Sequence, residues 1–170
     1  MSVLRKLDAL LLRAEEALIG VLLVLASFIL FANVIARYGF NDSFPWAEEL
    51  TRYAIVWMVF IGSSLAASKG AHIRVDVLMR LLGNSQAGKA LIVGVDLLCV
   101  VFSVCLVFFG WDLVDQAREF GQVTPSLQVP LWAVQLAMPV GGVLMTLRFA
   151  QRFFADLAGE VKAPSVDISS

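Results

Sequence analysis

Polar residues along the chain are separated by four long apolar stretches, at about residues 17–36, 50–68, 90–111 and 127–149. The hydrocarbon core of a bilayer is about 30 Å thick and an α-helix rises about 1.5 Å per residue, so about 20 apolar residues cross it. In lipid, a helix satisfies every backbone amide within one segment. The pattern therefore predicts an all-α membrane protein with four transmembrane helices.

Two further segments are amphipathic. Residues 1–16 and the middle loop both place apolar residues at helical spacing among charged ones. We expect the first segment to lie along the inner leaflet or to continue into span one. The second should form a short interfacial helix that ends near Gly83 and Asn84. The sequence contains no repeat or domain boundary, so residues 1–170 are interpreted as one transmembrane domain, with a polar tail at 155–170 predicted to be disordered.

Basic residues are distributed unevenly between the two sides. Of the 13 Lys and Arg residues, only Arg37, Arg52 and Arg118 fall on the side opposite to the termini and the middle loop. Because basic residues accumulate on the cytoplasmic side, both termini and the middle loop are predicted to be cytoplasmic. Three tryptophans agree with this orientation, since they lie near the outer ends of spans two, three and four: Trp46, Trp111 and Trp132.

Composition supports a membrane protein and excludes several classes. Hydrophobic residues make up 59% of the chain, charged residues 16%, and the mean hydropathy is +0.83, whereas globular proteins carry about 25% charged residues. A net charge of −1 provides no basic field for nucleic acid. The first span is interpreted as retained, because a charged stretch precedes it, Arg37 follows it and it lacks a small-residue cleavage site. Membrane lipids are thus expected partners.

Residue types that carry chemistry are scarce. With His72 as the single histidine, two histidines cannot hold a haem, and the sequence has no Cys/His cluster for zinc and no Gly-rich phosphate loop. We predict no catalytic, cofactor or metal site, and interpret His72 as a headgroup or loop contact. Asp96 lies inside span three, where an ionised carboxylate costs on the order of 2.5–3.5 kcal/mol. A structural polar contact, a subunit-interface role and ion or proton coupling all remain open for it.

The start of span two is the remaining polar cluster. Pro45 suits the first turn of a helix, and Glu48 and Glu49 favour its positive dipole end. Glu48 and Arg52 are four residues apart and can form an ion pair. The segment from Trp46 to Tyr53 is therefore either an ordinary helix start or a contact for a partner protein.

Small residues mark positions where helices can pack closely. Gly62 and Ala66 are four apart in span two, a spacing that lets another helix approach in lipid. In span four, Pro139 followed by Gly141 and Gly142 predicts a bend or a close contact. These helices are expected to pack against protein, within the chain or in another subunit.

Several motifs at this spacing resemble the small membrane subunit of tripartite ATP-independent periplasmic (TRAP) transporters, the DctQ-like family. The resemblance covers roughly residues 10–150. It is carried by Phe31–Tyr38, Phe44–Leu50, Val56-Trp57, Phe60–Ser63 and Gly70–Asp76, and in span four by Thr124–Ser126, Pro130–Trp132 and Met138–Gly141.

The resemblance implies a part in a three-component importer of the bacterial inner membrane. In this family a periplasmic solute-binding protein captures a substrate, typically an organic acid, and a large membrane subunit moves it by sodium-driven symport. The small subunit acts as a scaffold for the large one and helps to dock the binding protein. Arg37 and Asp76 lie in the matching motifs and join Trp46, Glu48, Glu49, Arg52, Gly62, Ala66, His72 and Asp96 as candidates for partner interaction.

Two other classes are alternatives. A self-contained four-helix small-molecule or proton antiporter would need a membrane-embedded acid in span one, where Asn33 is the strongly polar residue. A membrane anchor of a redox complex would bind haem, which one histidine does not favour. Proton exchange by the lone chain would indicate the first class, and a haem absorption band the second.

Overall fold

The structure is a computed structural model that describes residues 2–82 and 86–157, with side chains described for 10–68, 91 and 93–154. In this part the chain forms helices α1 (Ser2–Gly39), α2 (Pro45–Leu82), α3 (Gln86–Glu119), α4 (Leu131–Gln135) and α5 (Ala137–Leu157). Four stretches are long and apolar enough to cross a membrane: Leu10–Gly39, Pro45–Ser68, Val93–Glu119 and Leu131–Phe154. The prediction of an all-α protein with four such helices is confirmed.

Both amphipathic segments are continuous with the spans beside them. The N-terminal segment is part of α1, one of the two arrangements expected for it. The middle segment is not a separate short helix, because α2 runs unbroken to Leu82 over 38 residues. Gly70 is the one weak helix former between Ser68 and His72, and a single glycine costs a helix only about 1 kcal/mol. The tail was predicted to be disordered from residue 155, but α5 remains helical to Leu157; residues 158–170 lie outside the described residues.

The helices form an open row in the order α1, α2, α5, α3. Helix α5 packs extensively on α3 and also on α2, while α1 packs on α2. Helices α2 and α3 touch only briefly, and in the described part of the chain no Cα atom of α1 lies within 8 Å of one in α3 or α5. A closed bundle would bring the first and last members of this row together. In the open row the backbone of α1 approaches only that of α2 among the described helices.

Two adjacent glycines place α5 at the centre of the row. A Cβ atom on Gly141 would lie 2.7 Å from Cβ of Phe60 in α2, and one on Gly142 would lie 2.9 Å from Cγ2 of Val107 in α3. Side chains do not tolerate such distances, so each glycine permits a close approach to a different neighbour. The predicted close contact at these glycines is confirmed.

Pro139 interrupts the fourth span. The span consists of α4 and α5, separated at Leu136, where the regular helix is broken. Proline has no N–H, and its ring collides with the carbonyl group four residues earlier, here that of Gln135. The Pro139 ring packs on Gly110 of α3, whose added Cβ would lie 2.9 Å from Pro139 Cδ. The helix is interrupted just before Pro139, and Gly110 leaves room for the proline ring.

The fourth span begins later than its hydrophobicity indicates. Helix starts at Leu131, four residues after the predicted boundary at residue 127. Residues 124–130 instead form a tight turn: Thr124 N donates to Val129 O at 2.9 Å, and Gln128 N donates to Thr124 O at 3.2 Å. Gln128 takes a positive φ of 54°, outside the right-handed helical region. Apolar residues in this turn therefore belong to a loop.

Candidate partner-docking site

The α1–α2 and α3–α4 connections lie together at one end of the molecule, here called the loop end (residues 33–53 and 118–132). The α1–α2 connection is fixed from within α1. Asn33 is buried, and its Oδ1 accepts a hydrogen bond from Phe44 N at 2.8 Å. Backbone donors near lipid need such a partner. Asn33, the polar residue of span one, thus holds the turn into α2.

Arg37 and Glu48 form an ion pair between α1 and α2 at the loop end. Arg37 Nη2 donates to Glu48 Oε1, and the two side chains remain 51% and 47% exposed. The ion pair predicted within α2, between Glu48 and Arg52, is replaced by this one. The exchange follows from packing, since α1 places Arg37 beside the first turn of α2. Both charges stay accessible to a partner.

Glu49 has a different environment from its neighbour Glu48. Its side chain is buried, Oε1 accepts a hydrogen bond from Tyr53 Oη at 2.9 Å, and Oε2 accepts one from Ser126 N at 2.7 Å. The carboxylate therefore connects α2 to the α3–α4 loop. Glu49 can therefore affect the binding of another protein only by fixing the position of that loop.

The α3–α4 loop is held by its own hydrogen bonds. Thr124 is fully buried, and its Oγ1 accepts from Val129 N at 3.1 Å. Val123 and Pro130 form an isolated antiparallel bridge, next to a hydrogen bond from Leu131 N to Gln122 O of 2.9 Å. The loop is thus a closed turn anchored on α2 by Glu49. Its sequence gave no sign of this anchor beyond a polar Thr-Pro-Ser run.

Aromatic and basic side chains also lie at the loop end. Arg118 lies over the ring of Trp132, 4.6 Å from its centroid. Trp46 is partly exposed with its ring 5.9 Å from that of Phe44, and Arg52 is exposed. Arginine and tryptophan commonly provide the strongest contacts in protein interfaces. The loop end brings together five predicted candidates: Arg37, Trp46, Glu48, Glu49 and Arg52.

The other candidates lie elsewhere. Gly62 is half-buried and faces α1, where an added Cβ would lie 3.9 Å from Cδ1 of Ile19, while Ala66 is exposed. Asp96 is completely buried in α3. His72 and Asp76 lie in α2, but their side chains fall outside the described residues. None of these five positions joins the loop end.

A buried ion pair at the opposite end of the molecule was missed from the sequence. Arg148 Nη2 lies 2.8 Å from both Glu15 Oε1 and Glu15 Oε2, and the two side chains are only 8% and 7% exposed. It links α1 to α5, whose backbones do not approach each other. The sequence did contain a signal for this pair. An acid precedes span one and a base lies near the end of span four, and both are on the same predicted side of the membrane.

The arrangement defines a small helical membrane protein with four apolar spans. The chain matches the family described as tripartite ATP-independent periplasmic transporters, DctQ component, over residues 18–159, and it belongs to that family. It is therefore a small permease component of a TRAP transporter and not an enzyme.

Individual relatives agree with this assignment. The C4-dicarboxylate TRAP transporter small permease protein DctQ of Vibrio cholerae is 30% identical over 86% of this chain and 72% of its own length. The protein of the same name from Rhodobacter capsulatus is 28% identical over 84% and 75%. The isethionate TRAP transporter permease protein DctMQ of Oleidesulfovibrio alaskensis is 28% identical over 69% of this chain and 18% of its own.

Family membership fixes the setting of the chain. The small permease works with a large membrane subunit, with which it is fused in the isethionate protein. The four apolar helices and the family together indicate a multi-pass protein of the inner membrane. The antiporter and redox-anchor alternatives are not favoured.

Proposed function

We propose that the chain is the scaffold subunit of a sodium-driven importer of an organic acid. In this role it holds the large membrane subunit and helps to dock a periplasmic solute-binding protein. It contributes no cofactor and no ion path of its own. The observation that carries the proposal is the open row of helices, which exposes long apolar faces.

Helix α1 provides the clearest support for a scaffold role. Its backbone approaches only that of α2 among the described helices, and beyond the Glu15 ion pair to α5 much of its remaining surface is apolar, with Val24 68% and Phe28 70% exposed. Helices associate in lipid through van der Waals packing and interhelical hydrogen bonds. A face of this length is suited to cover another membrane subunit.

The loop end supports the docking role. Glu49 and Asn33 fix its two connections, so the exposed Arg37, Glu48 and Arg52 project from a stable base. Charged groups on such a rim steer a partner and set its orientation more than they add affinity. The predicted external location of this end fits a partner in the periplasm.

The substrate class follows by analogy with the relatives. C4-dicarboxylate and isethionate, which appear in their names, are both organic acids. Reconstitution tests the proposal: the large subunit and binding protein are placed in vesicles with and without this chain. Uptake should require the chain and an inward sodium gradient. Uptake that is equally fast without the chain would refute the scaffold role, and solute flux through the lone chain would refute it independently.

Substitutions at Glu48 and Glu49 distinguish a docking role from a role in supporting the α3–α4 loop. Glu48→Gln should reduce uptake most at low concentrations of binding protein, because it removes an exposed charge and leaves the fold intact. Glu49→Gln should also lower the melting temperature, since a hydrogen bond to a charged group contributes about 1.5–3 kcal/mol. Glu16→Gln, at an exposed acid of α1 away from the loop end, is the matched control. Wild-type uptake in both variants would remove this cluster from docking.

Orientation has a direct test. A single cysteine at Asn41, in the exposed α1–α2 connection, should react with a membrane-impermeant maleimide in intact spheroplasts. A cysteine at Ser165 should react only after permeabilisation. The reverse pattern would place both termini outside the cytoplasm.

A further inference from the structure

An open apolar groove is lined by residues of α2, α3 and α5. Its volume is about 530 Å³. Leu98 and Phe102 of α3 form an exposed rim, and Phe60, Met145 and Phe149 contribute to the wall. Ser63 is the hydroxyl-bearing residue of the lining, and its Oγ already donates to Val59 O at 2.7 Å. The groove therefore offers hydrocarbon contacts and no unsatisfied hydroxyl.

The dimensions of the groove suit one hydrocarbon chain. Along α3 it extends from Val95 to Leu106, a distance of about 17 Å at the helical rise. An apolar groove of this length gives an extended acyl chain van der Waals contact along its course.

A positive charge lies at one end of the groove. Arg152 is one turn beyond Phe149 on α5, and its guanidinium carbon is 5.6 Å from the Phe149 ring centroid. Arg152 Nη2 also donates to Ala67 O, one turn beyond Ser63 on α2. The guanidinium thus lies just past the groove on both helices. Arginine presents five N–H donors in a planar fork that matches phosphate oxygens.

The level of Arg152 along the span agrees with a lipid headgroup. The fourth membrane span ends at Phe154, two residues after Arg152. Long basic side chains at span ends settle at the interface, where lipid phosphates lie. We propose that this groove binds one phospholipid, with an acyl chain between α2 and α3 and its phosphate hydrogen-bonded to Arg152. This inference requires only that the chain spans a membrane.

Two native cysteines on α3 supply a matched test. Cys99 lines the groove, while Cys105 is exposed and outside its lining. The membrane complex containing the full chain is transferred to nanodiscs of phosphatidylglycerol and phosphatidylethanolamine, extracted in mild detergent and weighed by native mass spectrometry. We expect one retained phospholipid per chain, a loss of at least tenfold with Cys99→Phe, and wild-type retention with Cys105→Phe. Equal retention in the two variants, or none in the wild type, would overturn the proposal.

The headgroup contact is tested separately. Arg152→Gln should reduce the amount of retained phospholipid several-fold, and Arg13→Gln, at an exposed arginine of α1, should leave it unchanged. Equal effects of both variants would contradict the assigned phosphate contact. A photoreactive amino acid at Phe102 gives a result that does not depend on variant stability. Cross-linking to phospholipid supports the proposal, whereas cross-linking to the large membrane subunit shows that a protein segment covers the groove and refutes it.

Discussion

Removal of the Glu15 charge should destabilise the protein strongly. Glu15→Gln leaves Arg148 with its charge in an environment where the side chain is 8% exposed. One of its nitrogens, Nη1, has no hydrogen-bond partner among the described residues even in the wild type. The guanidinium would keep at most the contact to the amide oxygen, lose the second acceptor and lose the negative charge that compensates it.

The magnitude follows from the burial of the pair. Removing one member of a buried ion pair costs about 3–5 kcal/mol, because the other charge remains uncompensated. For a protein of this size each kcal/mol lowers the melting temperature by about 2–4 °C. Glu15→Gln should therefore lower it by about 10 °C. Because the pair joins α1 to α5, proteolysis of α1 should also become faster.

The assay is thermal unfolding of the purified chain in detergent, followed by tryptophan fluorescence. Glu16→Gln, at the adjacent exposed acid, is the control and should change the melting temperature by less than about 2 °C. The double variant Glu15→Leu with Arg148→Met should recover most of the loss, since apolar replacement of a whole buried pair is often neutral. Equal melting temperatures for Glu15→Gln and Glu16→Gln would refute this reasoning, as would a double variant less stable than either single one.

Two further predictions concern packing and the first connection. Gly141→Ala should lower the free energy of unfolding by about 1–3 kcal/mol through overpacking against Phe60. Gly20→Ala, where an added Cβ meets nothing within 4 Å, should be neutral or stabilising. Equal melting temperatures of the two variants would contradict the close approach of α5 to α2. Asn33→Leu should lower the free energy of unfolding by about 1–3 kcal/mol, because Phe44 N loses its hydrogen-bond acceptor. Amide hydrogen exchange at Phe44 should become faster. Unchanged exchange would show that this hydrogen bond does not hold the turn.

Local features were largely predictable because the membrane imposes a local requirement. Each apolar run must satisfy its own backbone hydrogen bonds, so helix positions follow from composition without knowledge of neighbours. The interruption near Pro139 was equally predictable, since the missing N–H acts on the same helix. The start of the fourth span was predicted early because hydrophobicity does not distinguish an apolar turn from the first turn of a helix.

Pairing between helices was not predictable in the same way. The sequence offers Arg52 as a local partner for Glu48, but the packing of α1 on α2 supplies Arg37 instead. Likewise, adjacent Glu48 and Glu49 look equivalent in sequence, yet one is half-exposed and the other is buried against Ser126. Their different roles depend on a loop more than 70 residues away.

The sequence by itself determined that this is a four-span helical membrane protein with the motifs of a TRAP small permease, because lipid fixes the length and polarity of each segment. Only the tertiary structure decided that the helices form an open row centred on α5, that Glu15 and Arg148 meet across 133 residues, and that an apolar groove ends at Arg152. These features arise where distant side chains converge, and helical periodicity carries no information about which helices become neighbours.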